Sequence, residues 1–357
     1  MHIDFFVTLA GLLVGFTVGL TGMGGGALMT PILVLLFKVQ PLAAVSSDLV
    51  ASMVMKPVGA GVHLRRGTVN WMLVRWLAAG SIPFAFAGVF ILKRLGNGTA
   101  VEDRLKLALG IALLVASASI VAKGFLQLRR ARRREALLLQ GRTADPGPFI
   151  LRRLPTLVIG MVGGVIVGMT SVGSGSLIIV SLLLLYPMLS ARQLVGTDLV
   201  QAIPLVASAA LAHILFGDFR LSLTASVLLG SLPGVYLGAR LSVRAPDGVI
   251  RPALTFVLLA SGLKLLNMGD AQLMVALVVF VSLALPIWGM VDAVTRPDHH
   301  WQVAGLNKRS WVGVLTAGAP VGVGLVAAVI YFISIRSKLN AAALMSLVAV
   351  SGDELLV

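Results

Sequence analysis

Apolar residues form long continuous runs along the chain, and short polar or glycine-rich connections separate them. The runs are continuous rather than alternating, which favours helices over strands. Uncharged stretches at residues 5–37, 154–187, 221–239, 271–291 and 310–335 are close to or above the roughly 20 residues that a helix needs to cross the hydrocarbon core. The pattern therefore predicts an all-α, polytopic membrane protein.

The apolar runs group into two halves and an extension. The first half has segments at 5–21, 26–37, 45–62, 76–92 and 105–126, and the second has segments at 154–170, 174–186, 194–216, 221–239 and 252–266. Two further spans are expected at 271–291 and 310–335. This division predicts a first membrane repeat at 1–126, a linker at 127–153, a second membrane repeat at 154–267 and a C-terminal membrane extension at 268–357.

Three motifs of the first half recur in the second at an offset of 150 residues. They are Gly80-Ser81-x-Pro83-x4-Gly88 with Gly230-Ser231-x-Pro233-x4-Gly238, Ser47-Asp48-Leu49-Val50 with Thr197-Asp198-Leu199-Val200, and His63-x3-Gly67 with His213-x3-Gly217. Two related apolar halves are typical of transporters built from structural repeats.

The basic residues predict how the two halves are oriented. The linker carries eight arginines, which places it in the cytoplasm by the positive-inside rule. The first two segments of each half meet at a glycine cluster and return to one side, whether they cross fully or re-enter. Three further crossings then invert the second half. This topology leaves 18 lysines and arginines inside and nine outside, so we expect two inverted repeats, each with a glycine-broken hairpin and three transmembrane helices.

Composition removes several classes of function. The chain has 357 residues, of which 58% are hydrophobic and 12% are charged, and its mean hydropathy is +0.98. Its net charge of +15 comes from bases between apolar runs, where they act as topology signals, so nucleic acid is not an expected partner. Because there is no cysteine, disulfides, thiolate metal sites and cysteine catalysis are excluded.

Glycine-rich segments lie at equivalent places in both halves. Glycine lets the backbone leave the helix, and the free N–H groups of the next half-helix then favour an anion. Close helix packing through small residues is the alternative. The candidate substrate-binding residues in these segments are Gly24, Gly25, Gly26, Gly173, Ser174 and Gly175.

The third segment carries a lysine inside an apolar run. Lys56 shares one helix face with Ser52 and His63. Because a charge at the centre of a membrane helix costs on the order of 3 kcal/mol, we expect Lys56 to face a cavity as the counter-charge of an oxyanion, with Ser52 as a donor. The alternative is that Lys56 snorkels and that His63 marks the helix end.

Four titratable residues occupy duplicated positions. Asp48 and Asp198 are candidates for ion coupling, and N-capping is the structural alternative because both precede apolar runs. His63 and His213 are coupling or gating candidates. The residues leave open whether the coupling ion is a proton or sodium.

Several of these motifs together resemble the sulfite exporter TauE/SafE family of permeases. They are the glycine-rich turn before Pro31, Ala44-Val45-Ser46-Ser47-Asp48-Leu49, Val195-Gly196-Thr197-Asp198-Leu199, Lys56-Pro57-Val58-Gly59, His63, Gly67-Thr68-Val69 and the paired Gly-Ser-x-Pro motifs. The resemblance covers residues 5–266 and implies a bacterial inner-membrane permease for sulfite, sulfonates or related anions. The linker and the C-terminal spans exceed the usual core of the family.

The sequence thus favours a secondary transporter of a small anion that needs no cofactor or metal. An anion channel and a structural membrane subunit are the alternatives. A membrane-embedded enzyme is disfavoured because the apolar segments supply only two isolated aspartates and two isolated histidines. The substrate, the direction of transport and assembly into a homo-oligomer are left open.

Overall fold

A computed structural model describes most of the chain. The described residues are 4–21, 25–94, 99–139, 149–241, 247–267, 269, 272–273, 289–290, 292–294, 296, 298–317, 323–342 and 345. Within them the regular elements are helices and no strand occurs, which confirms the all-α prediction. In this part of the chain six helices are long and apolar enough to cross a membrane, so the protein is a multi-pass membrane protein.

Ten helices follow the ten predicted segments of the two halves. They are α1 (Phe5–Thr21), α2 (Gly26–Leu35), α3 (Pro41–Arg65), α4 (Trp71–Arg94), α5 (Thr99–Leu139), α6 (Arg153–Thr170), α7 (Leu177–Leu185), α8 (Ala191–Phe216), α9 (Leu221–Leu241) and α10 (Asp247–Leu265). Helix α5 continues over the first 13 residues of the expected linker, as far as Leu139. The chain forms two compact units, Met1–Gly124 with Asp145–Met268, and Phe125–Ala144 with Gly269–Val357.

Glycines bring the first helix of each half against the fourth helix of the other. A Cβ built at Gly11 of α1 would lie 2.7 Å from the Val227 carbonyl oxygen of α9. A Cβ at Gly164 of α6 would lie 2.5 Å from the Ser81 carbonyl oxygen of α4. Contacts advance in the same direction along both partners, so α1 runs parallel to α9 and α4 parallel to α6. These backbone approaches are the small-residue packing that membrane helices use.

The third helices of the two halves, α3 and α8, cross each other antiparallel. Ser46 near the start of α3 contacts His213 near the end of α8. His63 near the end of α3 lies beside Gly196 near the start of α8. The fifth helices are antiparallel as well, since Gly110 of α5 faces Gly262 of α10 while the Ser117 hydroxyl donates to the Thr255 carbonyl.

The second unit contains a small aromatic core in its C-terminal part. It includes α11 (Asp298–Val303), α12 (Lys308–Ala317), α13 (Val323–Ile330) and the π-helical turn Tyr331–Ile335. The Tyr331 ring lies 6.4 Å from Trp301 and 6.2 Å from Trp311, measured between centroids. Because Trp311 and Tyr331 would be about 30 Å apart along one straight helix, the contact between their rings shows that they do not lie on one straight helix.

The contact between Trp311 and Tyr331 corrects the expected single crossing at 310–335. The predicted topology put Arg296 inside and Arg336 outside, yet both guanidinium groups approach Asp292 Oδ2, at 3.0 Å and 3.9 Å from their Nε atoms. Arg296 also donates to the Asn340 side chain. The two arginines therefore lie at one end of the unit. Most of the other expected span, 271–291, is outside the described residues.

Candidate functional site

The two duplicated aspartates lie inside helices and not at their starts. Helix α3 begins at Pro41, seven residues before Asp48, and α8 begins at Ala191, seven residues before Asp198. Ser190 is the N-cap of α8 and forms a capping box with Gln193. The capping alternative for the two aspartates is therefore wrong. Asp48 is 0% exposed and Asp198 is 1% exposed.

Asp48 joins the two halves through hydroxyl groups. Its Oδ2 atom accepts hydrogen bonds from Thr30 Oγ1 at 2.9 Å and from Ser171 Oγ at 2.7 Å. Thr30 belongs to α2, whereas Ser171 follows α6 in the second half. The carboxylate thus holds the broken segments of both halves against α3.

Lys56 is buried and reaches across to the second half. It is only 7% exposed, and its Nζ atom donates to Ser174 Oγ over 2.6 Å. A snorkelling lysine would place its ammonium in the headgroup region, so the structure excludes that alternative. Lys56 and Ser174, two of the predicted binding residues, are brought into direct contact.

The two glycine-rich segments meet at this site. A Cβ on Gly26 would collide with the carbonyl oxygen of Ser171, so only glycine lets the segments touch here. Gly25 packs on the Ser52 face of α3, where its Cβ would lie 3.8 Å from Ser52 Oγ. Gly173 and Gly175 have φ of 114° and 101°, which an L side chain rarely adopts. Residue Gly24, also predicted here, lies outside the described residues.

Buried polar atoms without hydrogen-bond partners cluster along α3 and α8. Among the described residues these include Asp48 Oδ1, Ser52 Oγ, Asp198 Oδ1 and Gln201 Nε2. Since most buried polar atoms in folded proteins are paired, these four atoms stand out among the buried polar groups of the described residues.

Charged side chains of α3, α5 and α8 interact with one another at the crossing. Lys56 interacts electrostatically with both Asp48 and Asp198. Lys123 of α5, which is half-buried, also acts on Asp198. Two carboxylates and two ammonium groups therefore share the region, and Lys56 is the cation that both carboxylates have in common.

The two histidines differ in their surroundings. His213 is fully buried, its Nδ1 atom lies 2.8 Å from Ser46 Oγ, and its Nε2 atom lies 2.8 Å from the Gly168 carbonyl oxygen. His63 is half-buried and contacts Thr68 Oγ1 through Nδ1 at 3.0 Å. His213 thus ties α3, α6 and α8 together, whereas His63 closes the turn that follows its own helix.

Sequence reasoning missed several polar partners at the site. Ser171 and Ser46 bind predicted residues of the opposite half, and Thr30 binds Asp48 within its own half. Nothing in their local sequence indicates those partners. Gln201 could have been found, because it is a polar residue one turn after Asp198 within an apolar run. Its Oε1 atom accepts from Ser81 Oγ at 3.2 Å, which links the Gly-Ser-x-Pro motif to α8.

Comparison with known proteins identifies the family. The chain matches the family described as Sulfite exporter TauE/SafE over residues 7–265. It is 40% identical over 261 residues to the "Probable membrane transporter protein YjnA" of Bacillus subtilis (strain 168), covering 73% of this chain and 98% of that relative. It is 26% identical over 260 residues to the "Probable membrane transporter protein YdhB" of the same organism, covering 73% and 99%. No solved structure gives a significant match.

The chain belongs to the sulfite exporter TauE/SafE family. It is therefore a membrane transporter and not an enzyme, as the sequence predicts. The family match ends at residue 265, the last residue of α10, so the C-terminal extension lies beyond it.

Proposed function

We propose that this TauE/SafE transporter is a secondary carrier that moves a small, sulfur-containing anion, such as sulfite or a sulfonate, across the bacterial inner membrane. The binding site is the crossing of α3 and α8, where Lys56 provides the counter-charge and Ser52, Ser174 and the glycine-rich segments provide polar contacts. Residues 127–153 lie on the cytoplasmic side.

One observation carries this proposal. The Lys56 ammonium is buried in a transporter core and bonds to Ser174 of the opposite half over 2.6 Å. Burying an ammonium in a membrane segment costs free energy, and lysines found at such positions typically belong to a functional site. The neighbouring unpartnered Ser52 hydroxyl and the broken helices are the features with which transporters bind anionic groups at mid-membrane.

The helix packing supports an inverted-repeat carrier. The equivalent helices α3 and α8 are antiparallel, and so are α5 and α10. The first helix of each half packs against the fourth helix of the other half. Two copies related by an axis in the membrane plane would produce these pairings. In such proteins the halves alternate around a fixed central site, which favours a carrier over a channel.

The test is transport by the purified full chain in liposomes with ³⁵S-labelled sulfite, methanesulfonate and sulfoacetate. We expect saturable uptake of at least one of them, and we expect Lys56→Ala to lower it at least a hundredfold because the anion loses its counter-charge. Lys106→Ala is the matched control, since Lys106 makes an exposed ion pair with Asp103 at 3.3 Å.

Size-exclusion elution of each variant separates loss of transport from loss of folding. Undiminished uptake by a monodisperse Lys56→Ala protein would remove Lys56 from the mechanism. Conductance at single-channel rates would instead identify a channel. If none of the three anions moves, the assignment to sulfur-containing anions is wrong.

A further inference from the structure

A hydrogen bond between the two halves joins each end of the α3–α8 pair. At the end where α3 begins, Ser46 Oγ lies 2.8 Å from His213 Nδ1 near the end of α8. At the opposite end, the backbone N–H of Asn70, which precedes α4, donates to Thr197 Oγ1 near the start of α8 over 3.0 Å. The side chains of Ser46, Thr197 and His213 are fully buried. Both ends of the crossing are therefore held together across the interface between the halves.

The two contacts are not copies of each other. Ser46 corresponds to Gly196 in the duplication, so α8 offers no hydroxyl to His63, which instead contacts the turn after its own helix. Thr197 corresponds to Ser47, whose buried hydroxyl has no hydrogen-bond partner among the described residues. Each end therefore has its own contact between the halves, and a substitution can remove one without touching the other.

The proposed binding site lies between the two contacts. Lys56 follows Ser46 by ten residues along α3, which is about 15 Å of helix. Thr197 and His213 are 16 residues apart along α8, which is about 24 Å. Because the Lys56 ammonium bonds to Ser174 of the second half, an anion beside it lies between the halves. Such an anion enters and leaves where the halves separate.

Resting on the carrier proposed above, we propose that the Ser46–His213 contact is the outer gate of the transporter and that the contact between Thr197 and Asn70 is the inner gate. These sides follow from the cytoplasmic position proposed for residues 127–153, because the loops before α4 and α6 lie at one end of the core. The outer gate opens while the inner gate stays joined, and the reverse arrangement gives access from the cytoplasm.

The outer gate is positioned by three helices. His213 Nε2 lies 2.8 Å from the Gly168 carbonyl oxygen of α6, which orients the imidazole ring. A Cβ at Gly217 would lie 2.7 Å from Ser46 Oγ and 2.9 Å from His213 Nδ1, so glycine leaves room for the contact. The Ser46 hydroxyl is therefore the part of this gate that a substitution removes without adding bulk.

The experiment uses the thiol introduced by Ser52→Cys as a reporter in the full chain, which has no native cysteine. Sulfonatoethyl methanethiosulfonate, an anionic reagent that does not cross lipid, is applied to right-side-out or to inverted membrane vesicles. We expect Ser46→Ala to raise the modification rate about fivefold in right-side-out vesicles alone. Thr197→Val should do the same in inverted vesicles alone, since losing one hydrogen bond shifts an opening equilibrium by about that factor.

Two further variants test whether the contacts themselves are responsible. Ser47→Ala removes an equally buried hydroxyl beside Ser46 and should change neither rate. Thr197→Ser keeps the acceptor hydroxyl and should behave as the reporter protein does. Size-exclusion elution shows that each variant is folded. Unchanged rates in the gate variants, a rise on both sides, or a rise on the opposite side would each overturn the inference.

The labelling result is independent of transport. Modification of the reporter thiol needs no anion flux, so failure of the gate assignment leaves the proposed anion carrier in place. Absence of any anion flux through the wild type in liposomes would instead reject the carrier.

Discussion

At the scale of single residues, the position of Lys56 depends on one hydroxyl of the opposite half. Ser174 Oγ accepts a hydrogen bond from the Lys56 ammonium at 2.6 Å, and Asp48 and Asp198 also attract this ammonium. Without this acceptor, the ammonium would move towards Asp48 or Asp198 and would be less available to an anion. Besides its proposed contact with the anion, Ser174 therefore holds the Lys56 ammonium in place.

We expect Ser174→Ala to raise the anion concentration at half-maximal uptake about tenfold, because a hydrogen bond to a charged group contributes about 1.5–3 kcal/mol. Initial uptake rates over a range of anion concentrations measure this change. Ser176→Ala is the control in the same segment, since Ser176 is also buried. Equal half-saturation values in the two variants would show that Ser174 does not position Lys56.

The sequence identifies the residues that stand out within their own segment, and Lys56 is the best example. A lysine within an apolar run is visible without a structure, and so are the duplicated Asp48 and Asp198. The partners of Asp48, Thr30 and Ser171, are short hydroxyl residues of ordinary appearance. They become important only because the fold brings distant helices together, which local sequence does not encode.

At the scale of helices, close backbone contact fixes how the two halves interlock. Gly160, Gly164 and Gly168 of α6 lie against the backbone of α4, and a Cβ at Gly164 would lie 2.5 Å from the Ser81 carbonyl oxygen and 2.9 Å from its Cα. Backbone atoms cannot move aside as a flexible side chain does. An added methyl group at this point therefore has to push the helices apart.

Gly164→Ala should lower the stability of the protein by about 1–3 kcal/mol, the usual effect of overpacking a well-packed contact. Thermal unfolding in detergent, followed by tryptophan fluorescence, should give a lower midpoint. Gly61→Ala is the matched control, because nothing lies within 4 Å of a Cβ at Gly61 and alanine favours a helix. A midpoint for Gly164→Ala at or above that of the wild type contradicts this packing.

The sequence predicted where helices occur more accurately than the residues at which they begin and end. Helix α1 has the predicted bounds, since residues 5–21 form one apolar run. Helix α3 begins at Pro41, four residues before its predicted start, because proline suits the first turn of a helix. The segment at 310–335 was expected as one span because it has no charge. The run Gly318-Ala319-Pro320-Val321-Gly322 within it lies outside the described residues, and its glycines and proline were a sequence signal against one continuous helix.

At the scale of the whole transporter core, the two halves repeat the same motifs, but only the first half carries a lysine at the position of Lys56. Asp48 and Asp198 occupy equivalent places, whereas Val206 stands in the second half where Lys56 stands in the first. Ser52 likewise corresponds to Ala202. The proposed binding residues Lys56 and Ser52 therefore depart from the symmetry of the duplication, and the repeat alone does not predict them.

The helix packing places the loops of the core at two opposite ends. Arg153 at the start of α6 stacks on Trp76 near the start of α4, with 5.7 Å between the guanidinium carbon and the ring centroid. The loops before these parallel helices therefore lie at one end of the core. The loop after α8 lies at the other end, since α3 and α8 are antiparallel and α3 leads into the loop before α4.

Cysteine labelling can test this arrangement directly, because the native chain has no cysteine. We expect Arg66→Cys and Arg152→Cys to react with a membrane-impermeant maleimide only from the cytoplasmic side, and Arg220→Cys only from the opposite side. All three arginines are exposed, and the ion pair that Arg220 makes with Asp218 is a surface pair whose loss costs at most about 1 kcal/mol. Labelling in whole cells and in inverted membrane vesicles gives the side for each position. If Arg66→Cys and Arg220→Cys reacted from the same side, the two halves could not be inverted copies, and a carrier that alternates around Lys56 would lose its structural basis.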